Sequence, residues 1–500
     1  MINIGKKCLA ALLAASMVFG VTGCGKQKKA KKPYVQSTAE VKNGTAKAEG
    51  KGKQQSEVPL IIGCGRLDKN FNPFLAQAAS DEQVMNLTQT KLFDTDRAGR
   101  LVEKGIDGEL REYNDENYTY YGIADIKKAR RTKANYTVYR ITIRDDLLFS
   151  DGQPITIDDV IFSLYAFCDN DYDGNVQLKS SNIRGLLNYQ ANNAQAESYT
   201  DKQVKKYIRK KPAALQKWTQ KHSSDESGYE SALERQARYL MAKQAKKKTR
   251  VNSIEGIKRL NDYELRIYTT GYDSRFEEKL QIPICPLHYY GDTTKYSYNA
   301  NKFGFKRGDL SAIRANKSSP VGAGAYRFVK YDSGIAYFMA NELYYQGCPK
   351  ITYVQLKDLT KLFKDEDLTG AKLAEEMKGQ TVDVASLALT QSDLEAIGEI
   401  NGNGKMSGNE INTCQSANAS YAYWGLNPYR VCINNEPFSE QSAALRHAIA
   451  MVVSACRGVQ METEGAKLTS VNAQAAKDSW LSPEQPNEDK LCYAETPDGK

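Results

Sequence analysis

The hydrophobic positions of this chain follow two periods, and the places where one gives way to the other mark its elements. Val58-Pro-Leu-Ile-Ile-Gly-Cys64 is a short apolar run that predicts a buried strand. It leads into Asn70-Phe-Asn-Pro-Phe74, where asparagine and proline force a turn. Tyr136-Thr-Val-Tyr-Arg-Ile-Thr-Ile-Arg144 alternates at period two and predicts a strand. Asp151-Gly-Gln-Pro154 then turns the chain, and Thr156 with Asp158 and Asp159 opens a helix whose apolar positions Val160, Ile161, Leu164 and Phe167 fit a 3.6 repeat. Further on, Tyr326–Tyr331 and Ile335–Ala340 flank Asp332-Ser-Gly334, the pattern of a hairpin. Leu445, Ile449, Val452, Val453 and Cys456 form a helical stripe expected to pack in a core.

Between these patterned stretches, residues 188–250 are polar and predominantly helical in pattern. Residues 201–250 hold 15 Lys or Arg against 5 Asp or Glu. Val204, Tyr207, Ile208, Leu215 and Trp218, then Leu233, Ala237, Leu240 and Met241, supply stripes that can pack on a neighbouring surface. A solvated face accounts for the remaining charge, and docking to an anionic cell-surface polymer or another chain is the sharper alternative.

With 500 residues, 41% of them hydrophobic and 26% charged, and a mean hydropathy of −0.58, the chain is long and apolar enough for two or three cores. Its formal charge of +9 is uneven. Lys6 and Lys7 open an uncharged apolar stretch from Leu9 to Val21, with the form and length of a secretory leader. Residues 25–57 carry nine lysines against three glutamates and almost nothing to bury, the composition of a flexible tether. Nearly all of the net charge therefore sits ahead of residue 58, and a nucleic-acid-binding body is disfavoured. The leader ends Val21-Thr22-Gly23-Cys24, which resembles the lipobox of bacterial lipoproteins and nominates the Cys24 thiol for acylation.

The chemistry-bearing residues point away from catalysis. Apart from Cys8 and Cys24, the cysteines lie far apart with no zinc or redox spacing, and most are expected to be buried as small apolar residues. Gly63-Cys-Gly65 follows a strand, but Asp68 at the third glycine position would repel a pyrophosphate. Asp169-Asn-Asp-Tyr-Asp-Gly174 copies half a calcium loop, yet Ser180 stands where its bidentate carboxylate belongs. Glu399-Ile-Asn-Gly-Asn-Gly404 has Glu410 at that place but neutral asparagines before it, so no metal or other cofactor is expected. The histidines His222, His288 and His447 sit in no nucleophile or metalloprotease motif. A lipoprotein hydrolase using paired carboxylates is the least favoured function, and a surface sensor or adhesin is a second non-enzyme alternative.

Several of these pieces together resemble one family. The run from Tyr139 through Arg144-Asp-Asp-Leu-Leu-Phe-Ser-Asp-Gly-Gln-Pro154 to Val160 resembles the signature of the family 5 extracellular solute-binding proteins. These are oligopeptide and dipeptide receptors of ABC importers. Asn72-Pro-Phe74 resembles the family's first cleft loop, and Pro320-Val-Gly-Ala-Gly-Ala-Tyr326 and Asn341-Glu-Leu-Tyr-Tyr-Gln-Gly347 two further turns. Tyr421-Ala-Tyr-Trp-Gly-Leu-Asn427 resembles the strand that crosses to the second lobe, and Ala444–Ala450 the helix after it.

The resemblance implies an α/β, two-lobed fold of the type II periplasmic-binding-protein class with an extra subdomain. Residues 58–91 and 319–424 would form the first lobe, 92–318 the subdomain, and 425–500 the beginning of a second lobe that is incomplete in this chain. It also implies a receptor that captures a peptide, or another small solute such as a sugar or nickel complex, between two lobes. Delivery to ABC permease subunits with a separate ATPase would follow, at the extracytoplasmic face of the cell membrane, with the lipid on Cys24 as anchor. Asn72, Phe74, Tyr423, Trp424 and Asn427 are the implied ligand-facing residues. The acidic anchor that the family uses for a peptide's amino group belongs to a later part of the second lobe and is not assignable here.

Overall fold

The computed structural model describes residues 58–463, apart from residue 114 and the stretches 175–176, 223–227, 364–368, 387–390 and 415–424. The leader, the tether, Cys24, Tyr423 and Trp424 therefore lie outside the described residues. The described chain forms two compact units, one of residues 58–94 and 101–363, the other of residues 95–100 and those from 369 onward. No helix among the described residues is long and apolar enough to cross a membrane.

In chain order the larger unit runs β1 (Leu60–Cys64), α1 (Ala79–Thr88), a β2–β3 hairpin (Glu109–Tyr113, Glu116–Tyr120), β4 (Ala124–Arg131), β5 (Tyr136–Ile143) and α2 (Ile157–Phe167). The helical segment follows as α3 (Leu186–Ala191), α4 (Asp201–Arg209), α5 (Ala213–Thr219) and α6 (Tyr229–Gln244). After it come β6 (Ile257–Asn261), β7 (Glu264–Thr270), β8 (Tyr326–Asp332), β9 (Ile335–Ala340) and β10 (Tyr353–Asp358). The smaller unit holds α7 (Gly370–Lys378), α8 (Gln391–Ile400) and α9 (Glu440–Thr463). The mixed α/β class is the one expected from the sequence.

Two sheets organise the larger unit, each with its own core. In the first, β8 pairs antiparallel with β9, β9 with β10, and β10 parallel with β1. The β8–β9 loop consists of Ser333 and Gly334, both at positive φ (50° and 90°), the two-residue geometry whose twist matches that of the strands. Phe71, Val84, Leu87, Phe338, Val354 and Leu356 fill the core between this sheet and α1. Gly322 and Gly324 run against the carboxyl end of α1, where a Cβ would collide with the carbonyls of Thr88 and Leu87. Close approach, rather than a positive φ, demands glycine here.

The second sheet has the order β4-β5-β7-β6, all antiparallel. The alternation of β5 puts Tyr139, Ile141 and Ile143 into the larger core. Helix α2 begins where the sequence places it, with Thr156 as N-cap and Asp159 completing a capping box. Instead of one buried stripe, it is buried all round save for Asp158, which is half-exposed. The reason is that material covers both sides: Phe162 meets Phe74, Tyr165 stacks on Phe303 at 3.5 Å, and Ser163 accepts a hydrogen bond from Cys285 N at 2.9 Å. The helical segment carries a small core of its own from Leu187, Ala191, Ala196 and Ala242. Arg235 of α6 ties it inward by donating to Lys179 O at 3.0 Å and Gln190 Oε1 at 2.8 Å.

Two sequence expectations need correction. The apolar stripe of α9 is not core: Val452 is 64% and Leu445 36% exposed. The described part of the smaller unit closes its core around Ala374, Ile397 and Ile411 instead, with Asp393 Oδ1 accepting from Ala371 N at 3.1 Å. Among the cysteines, Cys64, Cys168 and Cys285 are buried as expected, whereas Cys348 and Cys414 are exposed and Cys432 is half-buried.

Asp159 is enclosed by protein and accepts from Thr156 N at 2.9 Å and Leu287 N at 3.0 Å, joining α2 to a segment far along the chain. Burial pushes its carboxyl up to about 6 despite these hydrogen bonds. Its share of stability is thus intact below about pH 4, the ordinary aspartate range, and declines as the pH rises through about 6. Asp159→Asn removes that decline while losing one acceptor. In urea titrations from about pH 4 to about pH 7, the advantage of the parent over this variant is expected to shrink as pH rises; an advantage that stays flat or grows contradicts the raised carboxyl.

Candidate functional site

Open α/β sheets bind ligands outside the carboxyl ends of their parallel strands, where loops can approach a solute without interrupting the sheet. In the larger unit this place is defined by Cys64 and Asp358, the paired last residues of β1 and β10. The loop leaving β1 arches over it, and two buried carboxylates hold the loop down. Asp358 Oδ2 accepts from Leu67 N at 3.2 Å, while its Oδ1 accepts from Thr360 N at 3.0 Å and Thr360 Oγ1 at 2.6 Å. Asp81, in the first turn of α1, accepts from Asp68 N and Asn70 N, both at 3.1 Å. Between those two donors Lys69 takes φ 63°, left-handed backbone that costs a non-glycine residue about 1 kcal/mol and persists because the flanking N–H groups are fixed. Burial raises the Asp81 carboxyl above its ordinary value, only partly opposed by the N–H groups of Asn70 and Asp68.

The far side of the loop is fastened by the residues the sequence nominated. Asn72 is fully buried; its Nδ2 donates to Ile313 O at 2.7 Å and Asn316 O at 2.9 Å, and its Oδ1 accepts from Phe74 N at 2.9 Å. Phe74, 2% exposed, packs its ring 4.8 Å from that of Phe167 and 5.8 Å from that of Tyr290. As placed, neither side chain offers a surface to a ligand: both work by positioning the loop. A polar side chain in a turn reads equally well as contact or as fastening, and only the carbonyls of residues 313 and 316, remote in sequence, decide between them.

What the fastened loop presents is Gly65, Arg66, Asp68 and Lys69, all exposed. Arg66 Nε lies 3.1 Å from Asp68 Oδ1. Lys69 Nζ stands 5.1 Å from the centre of the Tyr331 ring, and Lys361 Nζ stands 5.8 Å from the same ring. The rim thus combines a guanidinium, two ammonium groups, one carboxylate and an aromatic face, suited to grip carboxylate or carbonyl oxygens and an apolar side chain. Nothing at the rim is activated for covalent chemistry. The one thiol nearby, Cys64, is buried, and that burial together with Asp358 and Asp81 pushes it up to about 12.

Asn427, in the smaller unit, shapes a turn: its Oδ1 accepts from Tyr429 N at 2.9 Å and its carbonyl from Val431 N at 2.8 Å. The adjacent Leu426 lines an open hollow of about 470 Å³ together with Arg446, His447 and alanines of α9. Tyr423 and Trp424 fall outside the described residues. The calcium-like loop of the larger unit is spoken for by protein donors. Asp169 accepts from Gly308 N at 2.9 Å, Asp171 accepts from Leu310 N at 2.8 Å, and Arg314 pairs with both Asp171 and Asp173. Among the described residues no cluster of three or more His, Cys, Asp or Glu side chains could hold a metal.

Residues 125–454 match the family model described as bacterial extracellular solute-binding proteins, family 5 Middle. No curated protein matches the sequence. Among solved structures, the chain is similar to the oligopeptide-binding protein AppA from Bacillus subtilis in complex with a nonapeptide, at 14% identity and a TM-score of 0.41, over 70% of this chain and 47% of that one. Lactococcal OppA, complexed with an endogenous peptide in the closed conformation, gives 14% identity and a TM-score of 0.41, over 67% and 46%. NikZ from Campylobacter jejuni in complex with Ni(L-His) gives 19% and 0.36, over 68% and 45%. The chain spans about half the length of these structures.

The fastening scheme has a direct test. Asp81→Ala strands two backbone donors and is expected to cost about 2 kcal/mol. Lys69→Gly relieves the left-handed strain and is expected to stay within about 1 kcal/mol of the parent, on either side. Urea midpoints measure both; a Lys69→Gly protein as unstable as Asp81→Ala would show that the lysine side chain also holds the loop, and an Asp81→Ala protein as stable as the parent would overturn the fastening by the carboxylate.

Proposed function

Because the chain belongs to family 5 of the bacterial extracellular solute-binding proteins, we propose that it serves an ABC importer as the receptor for peptides. The observation that carries this is the family match over residues 125–454, which takes in β5, α2 and the whole β8–β10 system. The lipobox at Cys24 supports acylation there and retention at the extracytoplasmic face of the cell membrane, with residues 25–57 as a tether. A permease with separate ATP-binding subunits takes over the solute, so energy coupling lies outside this chain.

The loop at the ends of β1 and β10 gives this function a physical basis. Peptides of differing sequence share carbonyl and carboxylate oxygens, which Arg66 and Lys69 can meet, while Tyr331 offers an apolar face to a side chain. Rigid fastening by Asp81, Asp358 and Asn72 means that little loop entropy is lost when a solute arrives. Capture is non-covalent and works by shifting the population toward the solute-bound form.

Thermal melts of the gene product at its full natural length, with a library of di- to oligopeptides, are the test. A cognate peptide at about 100 times its Kd is expected to add about 2.7 kcal/mol and raise the Tm accordingly. A protein that no peptide stabilises, but that a sugar or a nickel complex does, overturns the peptide assignment while leaving the family intact. For the anchor, labelled palmitate is expected on the parent and not on Cys24→Ala; equal labelling of both excludes Cys24.

A further inference from the structure

The helical segment places its charge in a way the sequence does not disclose. Arg238 of α6 pairs with Asp201 at the start of α4, and Tyr207 OH, near the end of α4, donates to Gln244 Oε1 at the end of α6 at 3.1 Å. The two contacts advance by the same number of residues along each helix, so α4 and α6 run parallel and their carboxyl ends lie side by side. One end carries Lys206, Arg209, Lys210 and Lys211, all exposed. The other carries Lys243 and the run Lys246–Lys248, exposed as well. None of these eight forms an ion pair among the described residues, and Asp201, at the opposite end of α4, is already used by Arg238. Helix dipoles account for cations in the last turns, such as Lys206, Arg209 and Lys243, but not for Lys246–Lys248 beyond the end of α6.

We propose that the paired carboxyl ends of α4 and α6 are a docking surface for the anionic headgroups of a phospholipid bilayer. The charges are mostly lysines, compact ammonium groups on flexible stems, which suit a diffuse layer of headgroups; a site that read individual phosphates would favour the bidentate fork of arginine. No large apolar side chain among the described residues of 201–250 is exposed, so the attraction is electrostatic, without insertion into the acyl layer. The choice of bilayer as occupant rests on the anchored-receptor reading above. A tether of residues 25–57 has a root-mean-square span of roughly 30 Å, which would keep the body close to the membrane that holds the anchor. Docking would hold the receptor in a preferred orientation at the surface instead of leaving it free at the end of its tether.

The experiment uses the full chain with Cys24→Ser, so that no acyl chain contributes, in co-sedimentation with mixed phosphatidylglycerol–phosphatidylcholine vesicles and with pure phosphatidylcholine vesicles. Binding is expected only to the anionic vesicles, weakening as salt rises. Lys210→Glu, Lys211→Glu, Lys246→Glu and Lys247→Glu together should lower it by roughly a hundredfold or more, and Lys211→Ala alone by about fivefold, with unchanged thermal melts. Undiminished binding by the fourfold variant would assign the attraction to the tether lysines and overturn the proposal, as would binding of soluble poly(glycerol phosphate) without binding of vesicles. Because the protein tested carries no lipid, a negative result leaves acylation of Cys24 untouched, and palmitate labelling of the parent decides that question separately.

Discussion

Backbone N–H groups that leave regular structure inside a protein must find acceptors, and here buried aspartates supply them across long stretches of chain. Asp81 takes the N–H groups of Asp68 and Asn70, and Asp358 that of Leu67. Asp159 takes those of Thr156 and Leu287, and Asp169 that of Gly308. A carboxylate presents two oxygens with several acceptor directions, so one side chain can fix two peptide groups at once. The cost is desolvation of a charge, visible in the raised carboxyls of Asp81, Asp159 and Asp169. Loops that would otherwise be free are thereby given one conformation, and the exposed rim above β1 and β10 depends on that.

How much of this was legible in the sequence follows from the range over which each interaction acts. The β5 strand, the N-terminus of α2 and the Ser333–Gly334 hairpin are governed by neighbours a few residues apart, and period and turn chemistry revealed them. The acceptors are different in kind. Asp81 looks like an ordinary first-turn helix residue, and nothing in Ala-Ser-Asp-Glu says that its oxygens turn back to the preceding loop. Asn72 and Phe74 were picked out as important positions, but pattern could not say whether they meet a solute or hold the loop, because their partners at residues 313, 316, 167 and 290 are distant in sequence. The α9 stripe failed for a related reason: periodicity shows that a face is apolar, not that anything covers it. Conversely, the charge of residues 201–250 was plain from composition, whereas the parallel alignment of α4 and α6 needed the Arg238 and Tyr207 contacts.

The rim above the parallel strands divides labour along a single loop. Residues with backbone-directed or packed side chains, Asn72 and Phe74 at one end and Leu67 at the other, set its path; the residues between them carry charge outward. Such an arrangement lets the outward side chains change with little effect on the path, because none of them fastens it. A receptor fold that serves different solutes can retain the footing and vary the rim.

The polar attachment of the helical segment carries one more consequence. Its inner core is four small or branched residues, and the Asn193 amide, donating to Ala242 O at 2.9 Å, ties it to itself; its links to the rest of the larger unit include Leu186 and Tyr189 of α3, which join the larger core, and the Arg235 guanidinium on Lys179 O. Beyond α3 none of its described residues joins the larger core, so that part is built to open and reclose as a foldon of its own, at a free energy below that of global unfolding. Amide exchange and proteolytic nicking would then begin in this segment while the two sheets remain intact.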